Sequence, residues 1–130
     1  MIEKELKPFA IKIPIGELSM DKNRIENTEK QVNEFFEKSK KIMLEKNKQR
    51  GDCWRGSGLM GQFIEIHSMY SRLRVLIYES EIPEKGSILY DEWRAQVENA
   101  LEDLRNFTIL GEMCLAENNI RGENYFNDIL

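Results

Sequence analysis

Apolar positions along the chain fall into three long stretches of helical period. Ile25, Thr28, Val32, Phe35, Phe36, Ser39, Ile42 and Met43 recur at intervals of three and four, which lines one face of a helix. That helix is expected from about Asp21, with Ser19 or Asp21 able to cap its start and Gly51 just past its end. A second stripe, Leu59, Phe63, Ile66, Tyr70, Leu73 and Ile77, begins behind Ser57 as a candidate N-cap. It is expected to end near Tyr78, because "ESEIPEKGS" brings Pro83 and Gly86. The third stripe, Trp93, Val97, Ala100, Leu101, Leu104, Phe107, Thr108, Gly111 and Leu115, has Asp91 near its start. Its polar flank carries Glu92, Gln96, Asn99, Asp103 and Asn106.

Residues 1–20 break this pattern. "PFAIKIPIGEL" alternates apolar and polar side chains between Pro8 and Pro14, which predicts an extended arm or a short edge strand. Residues 119–130 are mostly polar and read as a tail: a short helix, a docking strand or frayed chain. The expected fold is all-α: one domain over residues 1–130, with an antiparallel bundle of three long amphipathic helices over 21–118. Three helices with broad stripes bury those faces better in a larger assembly, so a homodimer or higher homo-oligomer is expected to complete the bundle.

Composition agrees with a soluble domain. Hydrophobic residues make up 41% and charged residues 32%, no apolar run reaches membrane-span length, and the start lacks the basic and apolar regions of a secretory signal. A cytoplasmic setting without membrane contact is therefore expected. Cys53 and Cys114 have no metal-ligand spacing and read as two reduced thiols. The net charge of −4 conceals an uneven distribution: residues 38–55 hold seven bases against two acids, and from Leu76 onward twelve acids face four bases. The basic end favours an anionic partner, although charge runs are more often solvated helix faces, and nucleic acid is not the expected partner.

The basic end contains "RGDCWRGSG", residues 50–58. Gly56, Gly58 and Gly61 spell GxGxxG, but a helix precedes them where a dinucleotide fold needs a strand. Arg50, Gly51 and Asp52 spell an adhesion tripeptide too short to carry weight. His67 is the only histidine and borders a helix stripe, so a Ser-His hydrolase has no support. What remains is physical: a glycine-rich entry to a helix leaves backbone N–H groups free at the positive end of the dipole. Arg50 and Arg55 flank that entry with forks that match phosphate, and Trp54 offers a face to a base or ribose. The same residues also allow a structural loop, with Trp54 plugging the bundle end, Asp52 capping backbone N–H groups and the arginines paired with acids of the third helix. On that third helix Asn99 and Asp103 lie one turn apart. Asp103 can hold Mg²⁺ or pair with Arg72, whereas Glu98 and Glu102 are expected on the opposite, exposed face.

The run "KQRGDCWRGSGLMGQFIEIHSMYSRLRVLI", followed by "VENALEDLRNFTIL", resembles the nucleotide-modification-associated domain 1 family of phages and bacteria, a group similar to the all-helical MazG-type nucleotide pyrophosphatases. In the resemblance Gly51, Asp52, Trp54 and Arg55 match a G-D-S-W-R core in which Cys53 replaces serine. Arg72 and Leu73 match a later arginine-leucine pair, and Met69 replaces the family lysine. Leu101, Asp103, Leu104 and Asn106 match D-T-L-x-D-L-x-N-Y, with Asn99 for the leading aspartate and Phe107 for tyrosine. The resemblance covers roughly residues 46–116 and implies a pocket for a small phosphorylated nucleotide, in a bacterium or phage-infected host. MazG-type hydrolysis uses an E-E-x-x-E cluster with a second acidic motif to hold Mg²⁺; the first helix has Glu34 and Glu37 but no E-E-x-x-E. Binding is therefore expected ahead of catalysis, with no required cofactor, as a nucleotide-modification accessory or a counter-defence protein that sequesters a nucleotide. The expected ligand-binding residues are Arg50, Asp52, Trp54, Arg55, Ser57, Arg72, Asn99 and Asp103. The alternatives are a divergent Mg²⁺-dependent nucleotide pyrophosphatase, using Asp103 with Glu34 or Glu37, and an oligomeric interaction protein with no small ligand.

Overall fold

The computed structural model describes residues 22–123. They form α1 (Lys22–Arg50), a single 3₁₀ turn (Cys53–Gly56), α2 (Gly58–Arg74) continued by a π turn (Val75–Glu79), and α3 (Ile88–Ala116). The protein is all-helical, and no strand occurs among the described residues. No helix among them is long and apolar enough to cross a membrane. The expected N-terminal arm, the Ser19 or Asp21 cap and residues 124–130 lie outside the described residues.

The chain divides into two compact units after Phe36, within α1. In the first unit Ile25, Val32, Phe35 and Phe36 of the α1 stripe are largely exposed, and Thr28 Oγ1 donates to the Arg24 carbonyl at 2.8 Å.

The second unit is organised by α2 and α3, which run antiparallel. Near one end of the pair Gly111 of α3 meets Leu59 and Gln62 of α2, and near the other Trp93 Nε1 donates to the Leu76 carbonyl at 2.8 Å. Small side chains permit the approach: Ala100 and Cys114 are fully buried and Gly111 is buried on the same α3 stripe, with Leu73 buried on α2. The connection behaves as the Pro83 and Gly86 signals predict. Gly86 turns at φ +89°, and Ser87 then caps α3 by accepting from the Tyr90 N–H at 3.1 Å while donating to the Glu84 carbonyl at 2.7 Å. On the flank of the α3 stripe, Glu102 pairs with Lys38 of α1 at 3.0 Å and Arg105 Nε donates to the buried Ser39 hydroxyl. Glu102 is therefore half-buried against α1 and does not share the exposed face with Glu98, which pairs with Arg94.

Past α3 the chain turns at Asn118 (φ +55°) and lays residues 119–122 against the start of α2. Leu59 N–H donates to the Asn119 carbonyl and Met60 N–H to the Ile120 carbonyl, both at 3.0 Å. Gly58 (φ +62°) makes room for this docking, since a Cβ there would stand 2.7 Å from the backbone of Ile120 and Gly122. The beginning of the polar tail is thus a docked strap.

Candidate functional site

The loop between α1 and α2 holds its side chains in a fixed order. Gly51 (φ +63°) ends α1, and the Asp52 carbonyl then accepts from Arg55 N–H at 2.9 Å to close the 3₁₀ turn. Trp54 and Arg55 leave this turn side by side, with the guanidinium carbon 4.3 Å from the indole centroid. The Trp54 N–H points to Asn47 Oδ1 at 3.4 Å. Arg55 Nε donates to both carboxylate oxygens of Glu117, at 2.7 and 3.0 Å, and its Nη1 reaches Asp52 at 3.2 Å. The hydrogen bond to Glu117, more than the Coulomb attraction of either acid, raises the Arg55 pKa above its ordinary value against a partial desolvation.

These contacts overturn the expected anion cradle at the α2 N-terminus. The N–H groups of Leu59 and Met60 are taken by Asn119 and Ile120, and Gly61 N–H bonds the Ser57 carbonyl at 3.1 Å. Ser57 stands at the N-cap position with helical φ and ψ, and its hydroxyl donates to the Trp54 carbonyl at 3.2 Å in place of capping. A Gly-rich entry looks open in sequence because the segment that closes it lies some sixty residues downstream. The GxGxxG glycines serve packing: Gly58 admits the strap, and a Cβ on Gly61 would fall 2.2 Å from the Ser57 side chain. Arg55, likewise, is a strut to Glu117 and a cover on Trp54.

Beside this closed end lies a cavity of about 330 Å³. Its wall combines Met43, Leu44, Lys46, Asn47 and Arg50 of α1, then Gly51, Cys53, Trp54 and Arg55 of the turn, and Asp103, Asn106, Phe107, Leu110 and Met113 of α3. The volume lies at the small end of the range for small-molecule sites, and the mixture of aromatic, aliphatic and a few polar groups has their usual character. Lys46 and Arg50 are exposed and make no ion pair among the described residues. Asp103 is half-buried and has neither an ion pair nor a hydrogen bond among them. One helical turn further on, Asn106 is 6% exposed, and its Oδ1 is buried without a hydrogen-bond partner among the described residues.

Of the residues expected from sequence, Arg50, Trp54, Arg55 and Asp103 meet in this wall, and Asp52 adjoins it through Arg55. Ser57, Arg72 and Asn99 are not part of it. Arg72 and Asn99 are exposed, and no ion pair joins Arg72 to Asp103 among the described residues. Asn99 sits one turn before Asp103, beyond the α3 residues that line the cavity. Lys46, Asn47, Asn106 and Phe107 were not expected as site residues. Asn106 and Phe107 were legible as flank and stripe positions next to Asp103, whereas Lys46 looked like any solvated lysine of a basic helix end.

Among the described residues no group of three or more His, Cys, Asp or Glu side chains could hold a metal ion. Glu37 is exposed and is not in the cavity wall. The arrangement supplies hydrogen-bond acceptors, flat and apolar walls and a cationic edge, which is equipment for holding a ligand. No family model, curated protein or solved structure matches the chain.

Proposed function

We propose that this chain binds a small phosphorylated nucleotide in the cavity lined by α1, the 3₁₀ turn and α3. One observation carries the reading: one cavity has Trp54 and Phe107 in its wall, Lys46 and Arg50, which make no ion pair among the described residues, on the same lining, and Asp103 on the α3 side. An aromatic wall accepts a base, and exposed cations accept phosphate oxygens without first breaking an internal ion pair. Phosphate recognition thus rests on Lys46 and Arg50, while Arg55 and Asp52 hold the indole in place. The biological reading is an accessory of nucleotide modification or a counter-defence protein that sequesters a nucleotide, in the cytoplasm of a bacterium or phage-infected host. It is supported by the G-D-C-W-R core and Asp103 lying in or beside one wall, in a likeness to the nucleotide-modification family that rests on motifs alone.

The test is thermal denaturation of the full chain against mono-, di- and triphosphates and cyclic dinucleotides, with mass spectrometry of the purified protein for a carried ligand. A nucleotide at a hundred times its Kd stabilises the folded state by about 2.7 kcal/mol, an easily measured rise in Tm. A panel without any shift, together with no carried ligand, would overturn the proposal.

A further inference from the structure

We infer that the cavity selects a guanine-type base, one whose edge presents adjacent N–H donors, through the Asp103 carboxylate. The inference rests on the nucleotide reading above and adds the identity of the base.

The argument begins from what a phosphorylated ligand meets. A nucleotide is anionic, and a carboxylate in its site is a liability unless the ligand offers that carboxylate something other than phosphate. Lys46 and Arg50 of α1 supply positive charge to the cavity, and among the described residues Asp103 of α3 is the only carboxylate in its wall. The wall therefore combines cations on α1 for phosphate with a carboxylate on α3 for a different portion of the same molecule. Asp103 is half-buried and engages no residue of the described chain, so its acceptors are not already used. An ionised carboxylate only accepts, and its two oxygens match two neighbouring N–H groups in one plane.

Among common bases this favours one edge pattern. Guanine presents the N1–H and the exocyclic amine side by side, both donors, to a bidentate acceptor. Adenine places an acceptor nitrogen beside its amine and would set that lone pair against the carboxylate. The flanking surfaces suit a bicyclic ring. Arg55 covers one face of the Trp54 indole and Asn47 engages its N–H, and Phe107 and Leu110 extend the apolar wall along α3. Asn106, one turn from Asp103 in the same wall, adds an amide whose buried oxygen has no hydrogen-bond partner among the described residues.

The test compares guanosine, inosine and adenosine diphosphates by calorimetric titration of the full chain. Inosine keeps N1–H and lacks the exocyclic amine, so it removes one donor without changing the ring or the phosphates. Guanosine diphosphate is expected to bind roughly tenfold to a hundredfold more tightly than inosine diphosphate, the worth of one hydrogen bond to a charged acceptor, with adenosine diphosphate weaker still. Asp103→Asn should compress the guanosine-inosine ratio to within about threefold. The ligand comparison uses the unaltered chain, so it stands even if that variant folds poorly. Equal binding of the three, or a preference for adenosine, overturns the base assignment and leaves nucleotide binding intact. Failure of all three and of the wider nucleotide panel overturns both.

Discussion

Glu117, the first residue beyond α3, receives Arg55 Nε on both carboxylate oxygens, at 2.7 and 3.0 Å, across 62 residues of sequence. The pair ties the α1–α2 turn to the end of α3, and Asn119 reinforces it by donating its side-chain amide to the Arg55 carbonyl at 2.8 Å. Both charged side chains are about one-third exposed, so solvent screening reduces what a buried pair would contribute. Arg55→Ala should destabilise the fold by about 1–2 kcal/mol in urea denaturation, combining lost charge-assisted bonds with the uncovered Trp54 face. A double-mutant cycle with Glu117→Gln should show coupling. Wild-type stability in Arg55→Ala, with loss of nucleotide affinity, would return Arg55 to the phosphate site.

Two glycines facing the same region should respond in opposite directions. Gly58 has φ +62°, and a Cβ there would stand 2.7 Å from backbone atoms of the strap, which has no flexible end to move aside. Gly58→Ala should cost about 2–4 kcal/mol and release residues 119–122 to faster amide exchange. Gly111 lies within α3, where a new Cβ would rest at ordinary contact, 3.5 Å from Leu59 and 3.8 Å from Gln62. Gly111→Ala should be neutral or stabilising by up to about 1 kcal/mol.

The contrast between these glycines marks the limit of what the sequence reveals. Helical periodicity placed α1, α2 and α3 within a few residues, because each stripe is a local property repeated over many turns. The sequence also marked Trp54 and Arg55 by turn chemistry and Asp103 by an i, i+4 flank, which are local features, and the family resemblance joined them into one site. It misplaced the anion cradle, because satisfaction of the Leu59 and Met60 N–H groups depends on a strap that approaches from the far end of the chain. The pairing of Glu102 with Lys38 escaped for the same reason: a helix wheel shows which residues share a face, and only packing decides which faces meet.

The two cysteines should separate cleanly by reactivity and by pH. Cys53 is exposed in the cavity wall and Cys114 is fully buried, so a thiol reagent should modify Cys53 alone in the native state, and a bound nucleotide should slow that reaction. Burial, with the nearby Glu117 charge, pushes the Cys114 thiol above its ordinary value. A thiol whose folded pKa is raised holds its proton longer in the folded chain than in the unfolded one. Its contribution is complete below the unfolded pKa, near 8.5, and declines as pH rises from there through the folded value. Stability should therefore fall on the alkaline side of about pH 8.5, and Cys114→Ala should flatten that slope in denaturant titrations at pH 7 to 10.

Lys46 and Arg50 should govern the salt dependence of ligand binding. Each is exposed and unpaired among the described residues, so its attraction for phosphate is screened over the short Debye length of physiological buffer. Arg50→Gln should weaken diphosphate binding by roughly threefold to tenfold at low salt and leave Tm near wild type, since no internal contact is lost. Combined with Lys46→Gln, it should make affinity nearly independent of salt. An unchanged Kd in the double variant would place the phosphate elsewhere.

The outer face of α2 carries the expectation of self-association. Gln62 and Leu73 are buried, Gln62 beside Gly111 of α3, whereas Met60, Phe63, Ile64 and Tyr70 form a second apolar face that is 44–65% exposed. A helix apolar on opposite sides is characteristically an interior helix, and burying a side chain of this size is worth about 1.5–3 kcal/mol. Covering that face with the same face of a second copy would place α2 at the centre of an assembly, with two-fold symmetry repeating each contact. Sedimentation of the full chain at micromolar concentration should then report a species larger than the monomer, and Phe63→Glu with Ile64→Lys should convert it to a folded monomer. A wild-type chain that sediments as a monomer across that range would refute self-association and leave the face for a different partner.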